Sequence, residues 1–160
     1  MSNDFYITSI LPYSGIIIKI CRAYTDSQED FEDFYQEACL QIWKSRDSFQ
    51  NKSKWSTWIY RITLNVCLTL SKRNKRKQEN FKIIHEQSEK NKAFKNEDLN
   101  LLYDAIKKLS KVSRAIILLY LEENSYKEIA TIIGTSPNNI AVRINRIKKQ
   151  LKIILDGKIN

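Results

Sequence analysis

The sequence predicts an all-α protein of two small helical domains joined by a flexible linker. Its 160 residues include only three Gly and two Pro, and apolar residues recur at helical spacing through most of the chain. Between the two helical parts lies a stretch of Lys, Glu, Gln and Asn that is too polar for a core. We therefore predict a first domain at 1–77, a linker at 78–97 and a second domain at 98–157.

The N-terminal domain opens with an apolar segment, expected to form one or two helices with a break at Pro12 and Gly15. From Asp30 to Trp43, apolar residues recur at i, i+3, i+4, i+7 and i+11, which predicts a helix with one buried stripe. Its opposite face carries Asp33, Gln36, Glu37 and Leu40.

Acidic residues are concentrated on this helix. Between Arg22 and Lys44 there are six acids and no Lys or Arg, although the chain has a formal net charge of +9. Such a surface repels DNA phosphates, which indicates a separate, basic protein partner. A solvated helix face explains the charge alone equally well.

A second helix is predicted from about Lys54 to Ser71, with Ser53 as its N-cap. Its inward residues are expected to be Trp55, Trp58, Ile59, Ile62, Val66 and Leu70. A polar loop with one aromatic residue precedes it, and five cations in seven residues follow at 71–77. Aromatic rings beside cations suit single-stranded DNA, whose bases stack on exposed rings for ~1–3 kcal/mol each. Plain core aromatics are an equal alternative.

The second domain is predicted to contain four helices. Apolar stripes from Leu99 and from Ser110 predict two scaffold helices. Next, Ser125 and Glu128 have the spacing of a capping box, and Gly134 stands where a left-handed C-cap residue is needed. Ser136 and Pro137 then start another helix after only a few residues. This spacing is typical of a helix-turn-helix.

The last helix pairs a buried seam with a polar, basic face. The seam comprises Ile140, Ile144, Ile147, Leu151 and Ile154. A step of 100° per residue places the opposite residues outward. They are Asn138, Val142, Asn145, Arg146 and Lys149. Amide and guanidinium groups can hydrogen-bond base edges in the major groove, so we favour duplex DNA reading over a solvated polar face.

Other function classes find little support. Cys21, Cys39 and Cys67 lie within apolar helical patterns, which predicts core thiols rather than disulfides or zinc ligands. With His85 as the only histidine and no glycine-rich phosphate loop, we expect no catalytic site, no metal and no cofactor. We also find no apolar run of membrane-spanning length and no leader, so a cytoplasmic protein is expected.

Two longer motifs carry a resemblance to a known family. They are DFEDFYQEACLQIWKSRDSFQNKSKWSTWIYRITLN (30–65) and SYKEIATIIGTSPNNIAVRINRIKKQL (125–151). The first resembles region 2, and the second region 4, of an extracytoplasmic-function sigma factor of the sigma-70 family. The resemblance implies a non-enzymatic subunit of bacterial RNA polymerase that recognises promoter −10 and −35 elements and melts DNA.

The resemblance also implies partners and site residues. Core RNA polymerase, through its clamp helices and flap, and promoter DNA are the implied partners, with an anti-sigma factor or another recruiter left open. The residues implied to bind polymerase are Asp30, Asp33, Gln36, Glu37 and Leu40. Those implied at the −10 element are Ser45, Phe49, Thr57, Tyr60, Arg61, Asn65, Thr69, Lys72, Arg73, Lys75 and Arg76. Those implied at the −35 element are Asn138, Asn139, Val142, Arg143, Asn145, Arg146 and Lys149.

Within the −10 set, Phe49 and Tyr60 are expected to wall a pocket for a flipped-out base. A stand-alone helix-turn-helix regulator, binding duplex DNA as a dimer, is the main alternative. It explains the second domain equally well but leaves the acidic face and the aromatic loop without a role. An RNA-binding helical adaptor is a third reading.

Overall fold

The computed structural model describes residues 3–80 and 97–159, and this part of the chain is helical with no strand. Chain contacts divide it into two compact units, Met1–Asn91 and Lys92–Asn160. The prediction of an all-α fold with two helical domains is confirmed. Residues 81–96, most of the predicted linker, lie outside the described residues, and its flexibility stays a prediction.

Residues 3–80 of the first unit form four α-helices and three short helical segments of other types. They are α1 (Asn3–Phe5), a π-helix (Tyr6–Ile10), a 3-10 helix (Leu11–Tyr13), α2 (Ser14–Ala23), α3 (Gln28–Lys44), a 3-10 turn (Arg46–Ser48) and α4 (Trp55–Asn80). At the break expected around Pro12 and Gly15, the chain changes from one helix type to another and stays helical. Pro12 is accommodated because it lies in the first turn of the 3-10 helix Leu11–Tyr13, where no backbone N–H is required.

Two boundaries of α4 differ from the prediction. Ser53 does not cap the helix, since its hydroxyl donates to the Lys54 carbonyl and the helix begins at Trp55. At the other end the helix continues past Ser71 to Asn80. The basic residues at 71–77 thus belong to the helix. Lys and Arg are good helix formers, and no Gly or Pro interrupts this stretch.

Helices α2, α3 and α4 pack against one another to form the core of this unit. Its fully buried side chains include Ile17, Ile20, Ile42 and Ile59, and burying each stabilises the unit by ~1.5–3 kcal/mol. All three cysteines are free and buried, as predicted. The Cys67 thiol lies 3.9 Å from that of Cys21, and this hydrogen bond and burial raise the pKa of Cys67.

The expectation that no segment has membrane-spanning length was wrong in one respect. By length and composition alone, Asn3–Ala23 is long and apolar enough to cross a membrane. In this structure 22% of the apolar window is buried, including Ile10, Ile17 and Ile20 in the core of the first unit. Core helices of folded proteins can meet the same criterion, so composition does not by itself indicate a span.

The second unit contains α5 (Glu97–Lys107), α6 (Lys111–Leu121), α7 (Tyr126–Ile133) and α8 (Pro137–Ile159). Helices α5, α6 and α7 all contact α8, and the predicted seam residues Ile140, Ile144 and Ile147 are at most 2% exposed. Arg114 donates to the Lys107 and Leu109 carbonyls at 2.8 and 3.3 Å. These bonds supply donors to carbonyl groups at and just after the C-terminal end of α5, which have no partner within the helix.

The predicted helix-turn-helix is confirmed in its local details. Ser125 and Glu128 form both hydrogen bonds of a capping box. Gly134 has φ 88°, and its N–H donates to the Ala130 carbonyl at 2.8 Å. The Ser136 hydroxyl accepts from the Asn139 N–H at 3.2 Å, and α8 begins at Pro137.

Substitution of Gly134 by Ala tests the turn. A Cβ at positive φ costs about 1–2 kcal/mol, so we expect a lower free energy of unfolding by about that amount. Gly157→Ala is the matched control, because Gly157 lies within α8 with open space around its Cα. That change should be neutral or stabilise by up to ~1 kcal/mol. Denaturant unfolding of both variants gives the comparison, and equal effects would contradict the assigned turn.

Candidate nucleic-acid interface

The outward face of α8 is as the sequence predicts. Asn138, Asn139, Asn145, Arg146 and Lys149 are exposed. Val142 is 50% exposed, and Arg143 is half-buried at the edge of the face. The structure thus presents three amides and two cations together on one exposed helix surface, which is the chemistry that hydrogen-bonds base edges and neutralises phosphates.

Lys148 borders this face and is held in place by a tyrosine. Its ammonium donates to the Tyr120 hydroxyl at 2.7 Å and lies 4.5 Å from the centre of that ring. The hydrogen bond raises the pKa of Lys148, so the group stays charged at neutral pH. The cation connects α8 to α6 and adds positive potential beside the exposed amides.

The acidic face of α3 lies on the first unit. Asp33 and Gln36 are exposed, while Asp30, Glu37 and Leu40 are half-buried. Gln41 donates to the Glu37 carboxylate at 2.8 Å, which orients that side chain. With no cation between Arg22 and Lys44, this face has negative potential in an otherwise basic protein.

A groove of about 340 Å³ lies between α3, beside the acidic face, and α4. It brings Ser45, Asn65 and Thr69, three of the predicted −10 residues, together with Glu37 and Gln41. Its apolar walls come from Ile62, Val66 and Leu70. A groove with apolar walls and a few convergent polar groups is the usual form of a small-ligand site, and a single nucleobase is a ligand of that size.

The exposed side of α4 continues from this groove as a polar and then basic stripe. Its members are Arg61, Asn65, Thr69, Lys72 and Arg76, all exposed. At 100° per residue these five positions fall within about 80° of one another, along ~22 Å of helix. Arg73 and Lys75, also exposed, flank the stripe. The predicted helix ended at Ser71, before these cations, and only the longer helix aligns them with the polar stripe.

Two predicted −10 residues were placed wrongly. Thr57 is 9% exposed and Tyr60 is 4% exposed, so neither presents its side chain to a base. The buried side of α4 is centred on Ile59, Thr63 and Cys67, each 0% exposed. Of the inward residues that periodicity favoured, Ile59 and Val66 are buried as predicted. The others are only half-buried, because α4 packs with a face rotated from that stripe; they are Trp55, Trp58, Ile62 and Leu70.

Phe49 contacts other aromatic rings rather than the groove. Its ring lies edge-on to Trp55 at 5.0 Å and tilted against Trp58 at 5.4 Å between centroids. It borders a separate cavity of about 440 Å³. That cavity is lined by Phe5, Thr8, Ser9, Tyr13, Arg46, Asp47, Phe49 and Trp55. The single pocket expected from sequence is therefore two concavities, one at Asn65 and one at Phe49.

Several residues of the two concavities were not among the predicted site residues. Gln41 of α3 and Ile62 of α4 complete the groove, and Ser9 and Phe5 reach the loop from the N-terminus. No local pattern marks Ser9 and Phe5 as site residues, because their contacts with the loop join segments far apart in sequence. Within residues 3–80 and 97–159 no group of three or more His, Cys, Asp or Glu is placed to hold a metal ion.

Two models of known protein families match the chain in separate parts. Sigma-70 region 2 matches residues 10–77, and Sigma-70, region 4, matches residues 99–151. Together the two matches span most of the chain, including α3, α7 and most of α4 and α8. The chain belongs to the sigma-70 family. Its curated relatives include extracytoplasmic-function members, and it is one of that group.

Two such relatives differ in how much they align. The sigma factor SigW of Bacillus subtilis is 28% identical over 94% of this chain and 90% of that protein. SigG of Mycobacterium tuberculosis is 41% identical over 36% of this chain, and the chain spans only 16% of SigG.

A solved structure is also similar to this one. The sigma factor RpoE, solved with the anti-sigma factor NepR from Bartonella quintana, has TM-score 0.78 at 22% identity. That match covers 97% of this chain and 98% of RpoE, and it supports the fold.

Proposed function

We propose that this protein binds core RNA polymerase, recognises −10 and −35 promoter elements, melts the DNA and directs transcription initiation. The observation that carries the proposal is the exposed acidic face of α3 in a basic chain that also contains a helix-turn-helix. DNA binding alone has no use for that face, whereas a subunit that joins DNA to another protein needs it.

In this proposal the acidic face binds polymerase. Asp30, Asp33, Gln36, Glu37 and Leu40 meet the basic clamp helices of the largest subunit, and the second unit meets the flap. Opposite charges steer the encounter and select against wrong partners. Half-buried Leu40 supplies apolar contact beside the charged groups.

The first unit is proposed to hold the melted −10 element. Ser45, Asn65 and Thr69 receive an unpaired base in the groove, and Arg61, Lys72, Arg73, Lys75 and Arg76 neutralise phosphates along α4. Phe49 retains a role as the wall of the neighbouring cavity. Thr57 and Tyr60 are left out because they are buried.

The second unit is proposed to read the −35 element through α8 in the major groove. Asn138, Asn139 and Asn145 are candidates for adenine, because a side-chain amide can donate to N7 and accept from the N6 amino group in one bidentate contact. Arg146 is the candidate for guanine, Val142 for a thymine methyl, and Arg143 and Lys149 for phosphates.

The domain division 1–77, 78–97 and 98–157 is part of the proposal, as is a cytoplasmic location beside RNA polymerase. An anti-sigma factor is proposed as a further partner, supported by the similarity to RpoE solved with NepR. We propose no enzymatic activity and no cofactor.

The main alternative is a stand-alone regulator that binds duplex DNA as a dimer. Co-purification with bacterial core RNA polymerase, followed by run-off transcription from a promoter library, separates the two. The sigma factor proposal expects association and sequence-dependent transcripts. Tight binding of a palindromic duplex by the isolated protein, without association, supports the regulator.

Asp33→Lys tests the polymerase face. Reversing an exposed charge at the centre of the face should reduce polymerase association by tenfold or more, because like charges then oppose each other. Its fold should be intact, since exposed substitutions usually change stability by less than ~0.5 kcal/mol. Asp4→Lys makes the same change at an exposed position on α1, outside both proposed polymerase contacts, and serves as the control. Normal association of the Asp33 variant would eliminate this face as the polymerase site.

Arg146→Ala tests base reading by α8. If Arg146 contacts a base, its loss should cost ~1–3 kcal/mol in discrimination at one −35 position. A phosphate contact would instead weaken all sequences equally and reduce the salt dependence. Lys152→Ala, which removes another exposed cation of α8, is the control. Binding of duplex libraries at several salt concentrations gives both quantities, and unchanged promoter use would exclude Arg146 from the interface.

Asn65→Ala tests the groove. We expect weaker binding of a single-stranded −10 oligonucleotide by about tenfold, with polymerase association unchanged, because the amide lines the groove and is exposed. Asn74→Ala removes an amide from another side of α4 and should leave oligonucleotide affinity unchanged. Equal affinities for the two variants would show that the groove does not hold the base.

A further inference from the structure

We propose that the N-terminal segment Asn3–Tyr13 positions the loop between α3 and α4 for promoter opening, and that Trp55 transmits this effect. Trp55 is a positioning residue here, acting through the loop and not by touching DNA. The inference rests on the proposed function, in which the loop and α4 capture the melted −10 strand.

A hydrogen bond across 46 residues of sequence joins the segment to the loop. The Trp55 indole Nε1–H donates to the Ser9 carbonyl at 2.8 Å. Ser9 lies in the π-helix Tyr6–Ile10, a rare geometry that often marks functional sites. Trp55 is the first residue of α4 and therefore the point where the loop ends.

Aromatic rings extend this connection to the other side of the loop. Phe5 lies edge-on to Trp55 at 6.3 Å between centroids, and Trp55 stacks on Trp58 at 4.8 Å. Phe49 packs against both Trp rings. Because Phe49 and Trp55 lie at opposite ends of residues 49–55, one ring cluster holds both ends of this stretch, and the N-terminal segment contacts that cluster.

The start of the loop has its own anchor on α3. Arg46 donates to the Trp43 carbonyl at 2.7 Å, and its guanidinium lies 4.3 Å from the centre of the Trp43 ring. Between the anchors, residues 50–52 are exposed, and Asn51 has φ 56°, a conformation that Asn tolerates. The tip of the loop is thus free to meet DNA while its ends are held.

Packing alone does not account for Trp55. The centre of the unit is formed by Ile17, Ile42 and Ile59, all 0% exposed, whereas Trp55 is half-buried at the edge. What Trp55 contributes is a link between segments that enclose the 440 Å³ cavity. Its removal should change the loop more than the core.

Two variants that each remove one hydrogen bond from the same segment form the test. Trp55→Phe removes the donor to Ser9 and keeps a ring. Tyr35→Phe removes the 3.0 Å bond between the Tyr6 and Tyr35 hydroxyls, which ties the segment to α3 instead of the loop. It also removes a hydrogen bond between Tyr35 and Cys39 within α3. The full-length variants are assayed with core RNA polymerase for open-complex yield, −10 base preference and melting temperature.

We expect Trp55→Phe to lower open-complex yield about 2- to 10-fold, the range for one neutral hydrogen bond. It should also reduce preference for the correct −10 base over a substituted one, a ratio that general loss of stability does not alter. Tyr35→Phe should keep both within about twofold of the unsubstituted protein.

Equal losses in both variants would mean that the segment matters only for stability, which overturns the inference. So would unchanged opening and base preference in Trp55→Phe, provided that the unsubstituted protein opens promoters. If the unsubstituted protein opens none, the proposed function fails and the inference with it. Should Trp55→Phe not fold, Phe5→Leu removes the ring contact from the segment side and is expected to lower opening more than Tyr35→Phe does.

Discussion

Helix α4 packs against α2 and α3 through Ile59, Thr63 and Cys67, and this packing sets its rotation about its own axis. Because each residue advances 100°, burying that face turns Asn65 and Thr69 outward in line with the basic end of the helix. A rotation by one residue would bury Arg61, and an unpaired buried cation is very costly. The proposed DNA surface of the first unit therefore depends on apolar packing behind it.

Charge is segregated on the surface of the first unit, which fits the two partners proposed for it. The α3 face has no cation, whereas the exposed side of α4 ends in four cations between Lys72 and Arg76. At physiological salt the Debye length is ~8 Å, so each charge acts mainly on groups close to it. Each surface can then attract its own partner, one basic protein and one polyanion, although the whole chain is basic.

The two units differ in how they present their side chains. In the second unit, short-range hydrogen bonds at Ser125, Gly134 and Ser136 start and stop the helices, and the buried seam of α8 orients its outer face. In the first unit, the loop before α4 is held by contacts with distant residues, among them Ser9 and Phe5. Local chemistry suffices to orient a rigid helix such as α8, which is proposed to read duplex DNA, whereas an exposed loop needs anchors from elsewhere in the fold.

The sequence by itself determined the all-α fold, the caps and turn of the helix-turn-helix, and the acidic and basic segments. These features depend on periodicity, on hydrogen bonds within four residues, and on charge, all of which are local. Tertiary structure decided which side chains of α4 are exposed, and it buried Thr57 and Tyr60 and divided the expected pocket in two. Periodicity predicts that the helix is amphipathic. It does not determine which face is buried when the helix carries Trp, Tyr and Thr on several sides, because these residues occur both in cores and on surfaces. Only packing against α2 and α3 selects one face, because the selected face is the one that fills the space between them.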